Sequence, residues 1–295
     1  MRTRGVSILS LSLIVEIAAG AAAAPTVLGV RDTTFTLNGQ TVFLLGMSYY
    51  GALGALQEFV QQDLDDLQRL GFNWLRVWAT WESFGEDVSA VDARGHAREP
   101  YMSRLEWLLR ECDKRGLIVD VTLTRGQGPG RLPDLPAHRA AVESTVSALR
   151  EYRNWYIDLA NERDVTDARF VSLDEVRQLR DLVRELDPQR LVTVSFGGHD
   201  LNEQYVREAL ITADLDFVAP HRPRFPGSPA QTRGKTSEVL TAMRRVGAIA
   251  PVHYQEPFRR GYAQWEPAAA DFFTDLRGAV EGGAAGWCLH NGDER

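Results

Sequence analysis

The chain has 295 residues, 44% hydrophobic and 25% charged, with 33 Lys and Arg against 40 Asp and Glu for a net charge of -7. Such a composition is that of an ordinary soluble globular protein, and the length suits either two domains or one large α/β barrel of about 250 residues. The acidic balance, with no basic stripe interleaved with aromatics, argues against nucleic acid as a partner.

In chain order, the N-terminus reads first as a targeting segment. MRTRG is short and basic, VSILSLSLIVEIAAGAAAA is mostly apolar, and AAAAPT supplies small residues for cleavage. That order is expected of a secretory signal peptide over residues 1–24, and it makes the protein secreted or periplasmic. A single membrane anchor is the competing reading, and Glu16 inside the apolar run disfavours it.

Next comes RDTTFTLNGQTVF, residues 31–43, whose alternating apolar residues around Asn38–Gly39 signal a hairpin. It is expected to cap the bottom of a barrel. From residue 40 onward one unit recurs: a short apolar run, a polar or glycine-rich turn, then an amphipathic helix. The expected strands are TVFLLGMSY, FNWLRVWAT, LIVDVTLT, NWYIDLAN, LVTVSFGG, DFVAPH, APVHYQE and AAGWCLHN. Between them, ALQEFVQQDLDDLQRLG places Leu56, Phe59, Val60, Leu64, Leu67 and Leu70 at helical spacing, with Gly71 as the stop. SLDEVRQLRDLVRELDP has a Ser/Asp start and Pro188 beyond its end, and SEVLTAMRRVG and DFFTDLRGAV read likewise.

Eight strands alternating with seven helices call for parallel pairing, because each return crossing needs a helix. The fold expected is a single-domain (β/α)8 barrel over residues 25–295 with its final helix missing. An open doubly wound sheet is the alternative, but no glycine-rich phosphate loop follows any strand. Cys112 and Cys288 are expected as two buried free thiols, since two cysteines make no disulfide framework.

In such barrels the loops at the carboxyl ends of the strands form the active face. Strand two offers Arg76 and Trp78, with Trp81 beyond; strand four offers Asn161 and Glu162; strand six, His221 and Arg222. Strand seven offers His253, Tyr254, Gln255 and Glu256, and strand eight, Trp287 and His290. Two carboxylates facing one tryptophan-rimmed cleft are the equipment of glycoside hydrolysis, one as acid/base and the other as nucleophile. At about 5 Å and an effective dielectric near 20 they would repel by roughly 3 kcal/mol, so both cannot ionise cheaply. If Arg76 reaches Glu256 it favours the charged form there, leaving Glu162 to hold the proton. Arg76 could equally pair with Asp158 inside the barrel, and both roles can coexist.

These residues resemble glycoside hydrolase clan A, most of all the family 5 cellulase and mannanase type, from about residue 35 to the end. YIDLANER is similar to the clan's strand-four motif, which implies Glu162 as acid/base and Asn161 as a contact to the sugar 2-hydroxyl. YQEP resembles the strand-seven ending that carries the nucleophile, here Glu256. NWLRVWATW resembles the strand-two motif whose Arg lies beside it, here Arg76. GWCLHNG resembles the strand-eight segment whose Trp, here Trp287, floors the glycone subsite. The chain departs from the pattern in three places: Pro223 stands where family 5 members carry a Tyr that holds the nucleophile, Thr124 and Arg125 where a strand-three His is expected, and Arg163 where Pro is common. Tyr254, offset by two from Glu256, could replace the Tyr if it turns inward.

His221 is expected to be a structural or substrate hydrogen-bonding residue, while Trp78 suits sugar stacking and packing equally. No zinc-type His spacing and no G-x-S-x-G elbow occurs, so no metal site and no serine esterase is expected. The reading is a retaining β-glycoside hydrolase of a glucan- or mannan-type poly- or oligosaccharide, monomeric, with no cofactor and no obligate protein partner. The alternative is a catalytically silent carbohydrate-binding barrel.

Overall fold

The computed structural model describes residues 25–83, 85–165, 169–261 and 265–290; the expected signal peptide and the last five residues lie outside these. Eight parallel strands are present: β1 (Leu44–Ser48), β2 (Trp74–Trp78), β3 (Ile118–Thr122), β4 (Trp155–Asp158), β5 (Val192–Thr193 and Ser195–Phe196), β6 (Ala219–Pro220), β7 (His253–Tyr254) and β8 (Gly286–Leu289). One sheet runs β5–β4–β3–β2–β1–β8–β7. The second half of β5 pairs with β6, and a parallel bridge from Val218 to Val252 joins the lead-ins of β6 and β7. The ring is closed, as a (β/α)8 barrel requires.

The connecting helices are α1 (Gln57–Arg69), α2 (Tyr101–Asp113), α3 (Leu135–Leu149), α4 (Leu173–Leu186), α5 (Glu203–Arg207, continued as a π turn over Glu208–Thr212), α6 (Ser228–Val246) and α7 (Ala269–Gly282). Their ends follow local chemistry. Ser172 and Glu175 form a reciprocal capping box at the start of α4, and Gly71 takes φ 84° just after α1, where a side chain would be strained.

Side chains on each strand alternate between two compartments. Leu75, Val77, Val119, Val121, Trp155 and Ile157 pack outward with the helices in one large core. Leu44, Trp74, Ile118, Tyr156, Phe217 and Cys288 belong to a second core inside the ring. Both faces of β2 and β3 are covered, and these strands are buried throughout, whereas the outward Leu45 and Met47 of β1 are only half-buried. Bulk inside the ring forces small residues opposite it: a Cβ on Gly46 would sit 1.7 Å from the Trp74 carbonyl, and one on Gly286 would sit 2.4 Å from the His253 ring.

Before the barrel, the expected hairpin is part of a three-stranded antiparallel meander over Leu28–Arg31, Thr34–Leu37 and Gln40–Val42. Its second turn is the Asn38–Gly39 pair, at φ 50° and 79°. Phe35 from the middle strand is fully buried, edge-on to Phe217 at 5.0 Å and to His253 at 5.7 Å. Burying that ring against the inner core contributes about 2 kcal/mol.

Among the described residues, which end at His290, no helix follows β8. The α1 flank bearing Asp65 and Gln68 bonds Arg115 after α2, while Leu56, Phe59 and Leu70 lie on the other flank, exposed. On α7, Gly278 and Gly282 press on α6, and Phe273 and Val280 are exposed on the opposite side. Cys112 and Cys288 are free and buried.

Candidate active site

The carboxyl ends of β2, β4, β6 and β7 bring Arg76, Asn161, Glu162, His221 and Glu256 together. Glu162 follows β4 in a turn at φ 47°, its N–H donating to Ser195 Oγ at 2.9 Å. Gly197 faces it so closely that a Cβ there would come 3.1 Å from the Glu162 side chain. Arg125, at the end of β3, donates to the carbonyls of Asn161 (2.9 Å), Arg169 (2.9 Å) and Glu162, pinning this turn from beneath.

Glu256 reaches the mouth because β7 ends early. His253 points into the ring against Trp74 and Tyr156, and Gln255 donates inward to Asp120 at 2.6 Å. Strict alternation would then send Glu256 outward, but the backbone bends at Gln255 and turns the carboxylate over the barrel top.

Arg76 is fully buried and holds the centre. Its guanidinium donates to Glu256 Oε1, to Asp158 at 3.1 Å, to Thr122 at 3.0 Å and to Asn161 Oδ1 at 3.0 Å, with Asp120 3.4 Å away. Arg76 thus pairs with Asp158 and with Glu256 at once. The Asn161 contact orients that amide, leaving its NH2 group as the end that can donate elsewhere. Charge crowding shows in the acids below: burial pushes Asp120 up to about 8, despite Arg76, and raises Asp158 as well.

His221 Nδ1 lies 3.0 Å from Glu162 Oε1 and 3.6 Å from Glu256 Oε2. One carboxylate oxygen from each glutamate and a ring nitrogen of His221 all lie within 4.8 Å of one another. Three such donors could in principle hold a cation. However, Arg76 and Arg224 already occupy the two oxygens of Glu256, so a dication would have to displace two guanidinium groups.

Burial opposes ionisation of Glu256, but His221, His290, Arg76 and Arg224 together hold it well below the usual carboxylate range. Glu162 departs from expectation. Burial and the Glu256 charge raise it, yet the hydrogen bond and charge of His221, with Arg224, bring it below its ordinary value. His221 is the hydrogen-bond partner that weighs most in this lowering.

Two expected site residues are elsewhere. Tyr254 is 1% exposed and points outward, its hydroxyl 2.7 Å from Thr236 on α6, so it cannot hold Glu256. Trp287 also faces outward, donating to Asp275 on α7 at 2.6 Å. Alternation explains both: His253 and Gly286 are the inward residues, which sends their neighbours out. In place of Trp287, His290 closes the cleft, 3.7 Å from Glu256 and 3.2 Å from Ser48. Trp78 lies beneath the rim, 2% exposed, its ring 4.4 Å from the Arg76 guanidinium, stacked on Tyr50 and tilted against Trp81.

Arg224 was not anticipated. It donates to Glu256 Oε2 at 2.8 Å and stands 3.7 Å from Glu162 Oε1. The signal was within view, since HRPR puts Arg224 directly after the Pro223 that replaces the expected Tyr.

The chain is thus a closed (β/α)8 barrel with an arginine-bound carboxylate pair at the carboxyl end of its strands. Among solved structures it is similar to an endo-1,4-β-mannanase from Rhizomucor miehei, with TM-score 0.66, 12% identity and 89% of each chain covered. A β-mannanase from the blue mussel Mytilus edulis gives 0.62 and 18%, over 91% of this chain and 92% of that one. A glycoside hydrolase family 5 protein from Bacteroides vulgatus gives 0.70 and 15%, over 90% and 62%. No family model and no curated protein matches the sequence.

Proposed function

We propose that the protein is a retaining β-glycoside hydrolase, with Glu256 as nucleophile and Glu162 as acid/base. The observation that carries this reading is the pairing of the two carboxylates within 4.8 Å across one cleft. Retaining enzymes hold the pair about 5 to 5.5 Å apart, whereas inverting ones need about 6.5 to 9.5 Å to admit a water. A silent sugar-binding barrel would tolerate one acid turned away, but both of these face the same imidazole.

Ionised Glu256 attacks the anomeric carbon while the bond to the leaving oxygen breaks. The Glu162–His221 pair, joined at 3.0 Å, delivers the proton to that oxygen. Water then attacks the glycosyl ester, passing its proton to Glu162, and Glu256 leaves as carboxylate. The Asn161 amide is suited to bond the sugar 2-hydroxyl, and Tyr50 and Trp81, backed by Trp78, offer an aromatic rim. The carboxylate pair supplies both acid and nucleophile, so the reaction needs no cofactor.

The substrate proposed is a β-linked poly- or oligosaccharide of glucan or mannan type, mannan first because several of the similar structures are mannanases. The N-terminal segment supports an exported protein. Among the described residues no helix is long and apolar enough to cross a membrane.

The test is chemical rescue. Glu256→Gly with azide and an activated aryl β-glycoside should give a glycosyl azide of inverted configuration, and Glu162→Gly one of retained configuration. Substantial turnover left in both Glu→Gln variants would end this reading.

A further inference from the structure

Arg224 is the group whose position the double-displacement reading leaves unexplained. Its Nη2 lies 2.8 Å from Glu256 Oε2 and 3.7 Å from Glu162 Oε1, and its side chain is 13% exposed. We propose that Arg224 is a positioning residue that changes partner during turnover, pairing with Glu256 before glycosyl transfer and with Glu162 after it. This rests on the proposed function.

The charges require such a movement. When a Glu256 oxygen bonds the anomeric carbon, the bond to the leaving group breaks and the leaving oxygen takes the proton of the Glu162–His221 pair. Glu256 is then an ester without charge, while that pair is one proton poorer. A guanidinium against the ester has lost the charge of Glu256, and a slight swing from 3.7 Å brings Arg224 closer to Glu162. When water attacks, Glu162 takes its proton, the ester bond breaks, and the restored Glu256 carboxylate draws Arg224 back. The cation follows the negative charge through both steps.

Arg76 cannot do this, because it is fully buried and fixed by Asp158, Asn161 and Thr122. Arg224 sits on a short tether: Pro223 fixes the backbone before it, and Arg222 is tied to Asp200 at 2.7 Å. The charged or titratable groups facing Glu162 are His221, Glu256 and Arg224. Those facing Glu256 are His221, His290, Arg76, Arg224 and Tyr50, with Glu162 across the cleft.

The experiment compares wild type, Arg224→Gln and Arg224→Lys on a 2,4-dinitrophenyl β-glycoside, whose leaving group needs no proton, so that kcat reports hydrolysis of the ester. Arg224→Gln should lower kcat roughly tenfold and give a dinitrophenolate burst equal to the enzyme concentration. Without the cation Glu162 becomes harder to ionise in the intermediate, so the acid limb of kcat should move up by about one pH unit. Arg224→Lys should restore part of both. If kcat and kcat/KM fall equally, with no burst and no shifted limb, Arg224 is merely structural and the proposal is overturned. Labelling wild type with the matching 2-deoxy-2-fluoro glycoside separates the two ideas. A glycosyl group on Glu256 with an unshifted Arg224→Gln profile sinks only the role of Arg224, whereas no label on Glu256 sinks the enzymatic reading as well.

Discussion

His221 Nδ1 stands 3.0 Å from Glu162 Oε1, close enough to share a proton with it, while its ring is wholly shielded from solvent. Glu162 is held below its ordinary pKa, and in the proposed mechanism the acid of the first step is the Glu162–His221 pair. Replacing His221 by Gln should therefore cost about 100-fold in kcat/KM on substrates with poor leaving groups and little on dinitrophenyl glycosides. A plot of log(kcat/KM) against leaving-group pKa should steepen. An equal loss across the series would mean that His221 only shapes the site.

Arg125 supports the turn that presents Asn161 and Glu162. It is 4% exposed and donates to the carbonyls of both residues and to that of Arg169. Arg125→Met should lower kcat about tenfold or more with KM little changed, because small misplacements of a catalytic group are costly. It should also destabilise the fold by about 2 kcal/mol through the orphaned carbonyls. Steady-state kinetics alongside urea denaturation would check both.

Trp287 gives the opposite expectation. Its indole N–H bonds Asp275, which is 1% exposed, between the barrel and α7. Trp287→Phe should cost about 1 to 3 kcal/mol of stability, seen as a lower Tm, with KM unchanged. A large rise in KM without loss of stability would return Trp287 to the cleft.

His138 on α3 contributes an acid-sensitive part of the stability. Arg169 donates to its Nδ1 at 3.1 Å, so Nδ1 accepts and Nε2–H donates to the Leu159 carbonyl, which fixes the neutral tautomer. Burial pulls its pKa down from 6.5 to about 4. Between those values the unfolded chain binds a proton that the folded one refuses, so stability falls as pH drops through this window. The loss is roughly 3 kcal/mol for this group. Denaturation curves at pH 7 and pH 4.5 should show the decline in wild type, and His138→Gln, which can keep both hydrogen bonds, should lessen it without abolishing it, since burial also pulls His253 and His290 down to about 3.

All eight strands and the helices between them could be read from the sequence because each obeys a local rule. Apolar runs of β character sit between amphipathic stretches, and Ser172 with Glu175 and Gly71 mark helix ends through their own backbone chemistry. Arg76, Asn161 and Glu162 were equally visible, since they stand in or just beyond apolar strands where a charged or amide side chain is conspicuous. Tyr254 and Trp287 were misread because the end of a strand does not say which side it shows; the inward residues His253 and Gly286 decide that, and the bend at Gln255 frees Glu256 from the same rule.

What the sequence determined alone is the count and order of the units, because hydrophobic period and turn chemistry act over a few residues. What only the tertiary structure decided is how the charges of the cleft are shared. Glu256 meets Arg76 from β2, Arg224 from the loop after β6 and His290 from β8, and these come together only when the ring closes. A carboxylate's proton depends on neighbours within a few ångströms, and in this chain those neighbours are far apart in sequence.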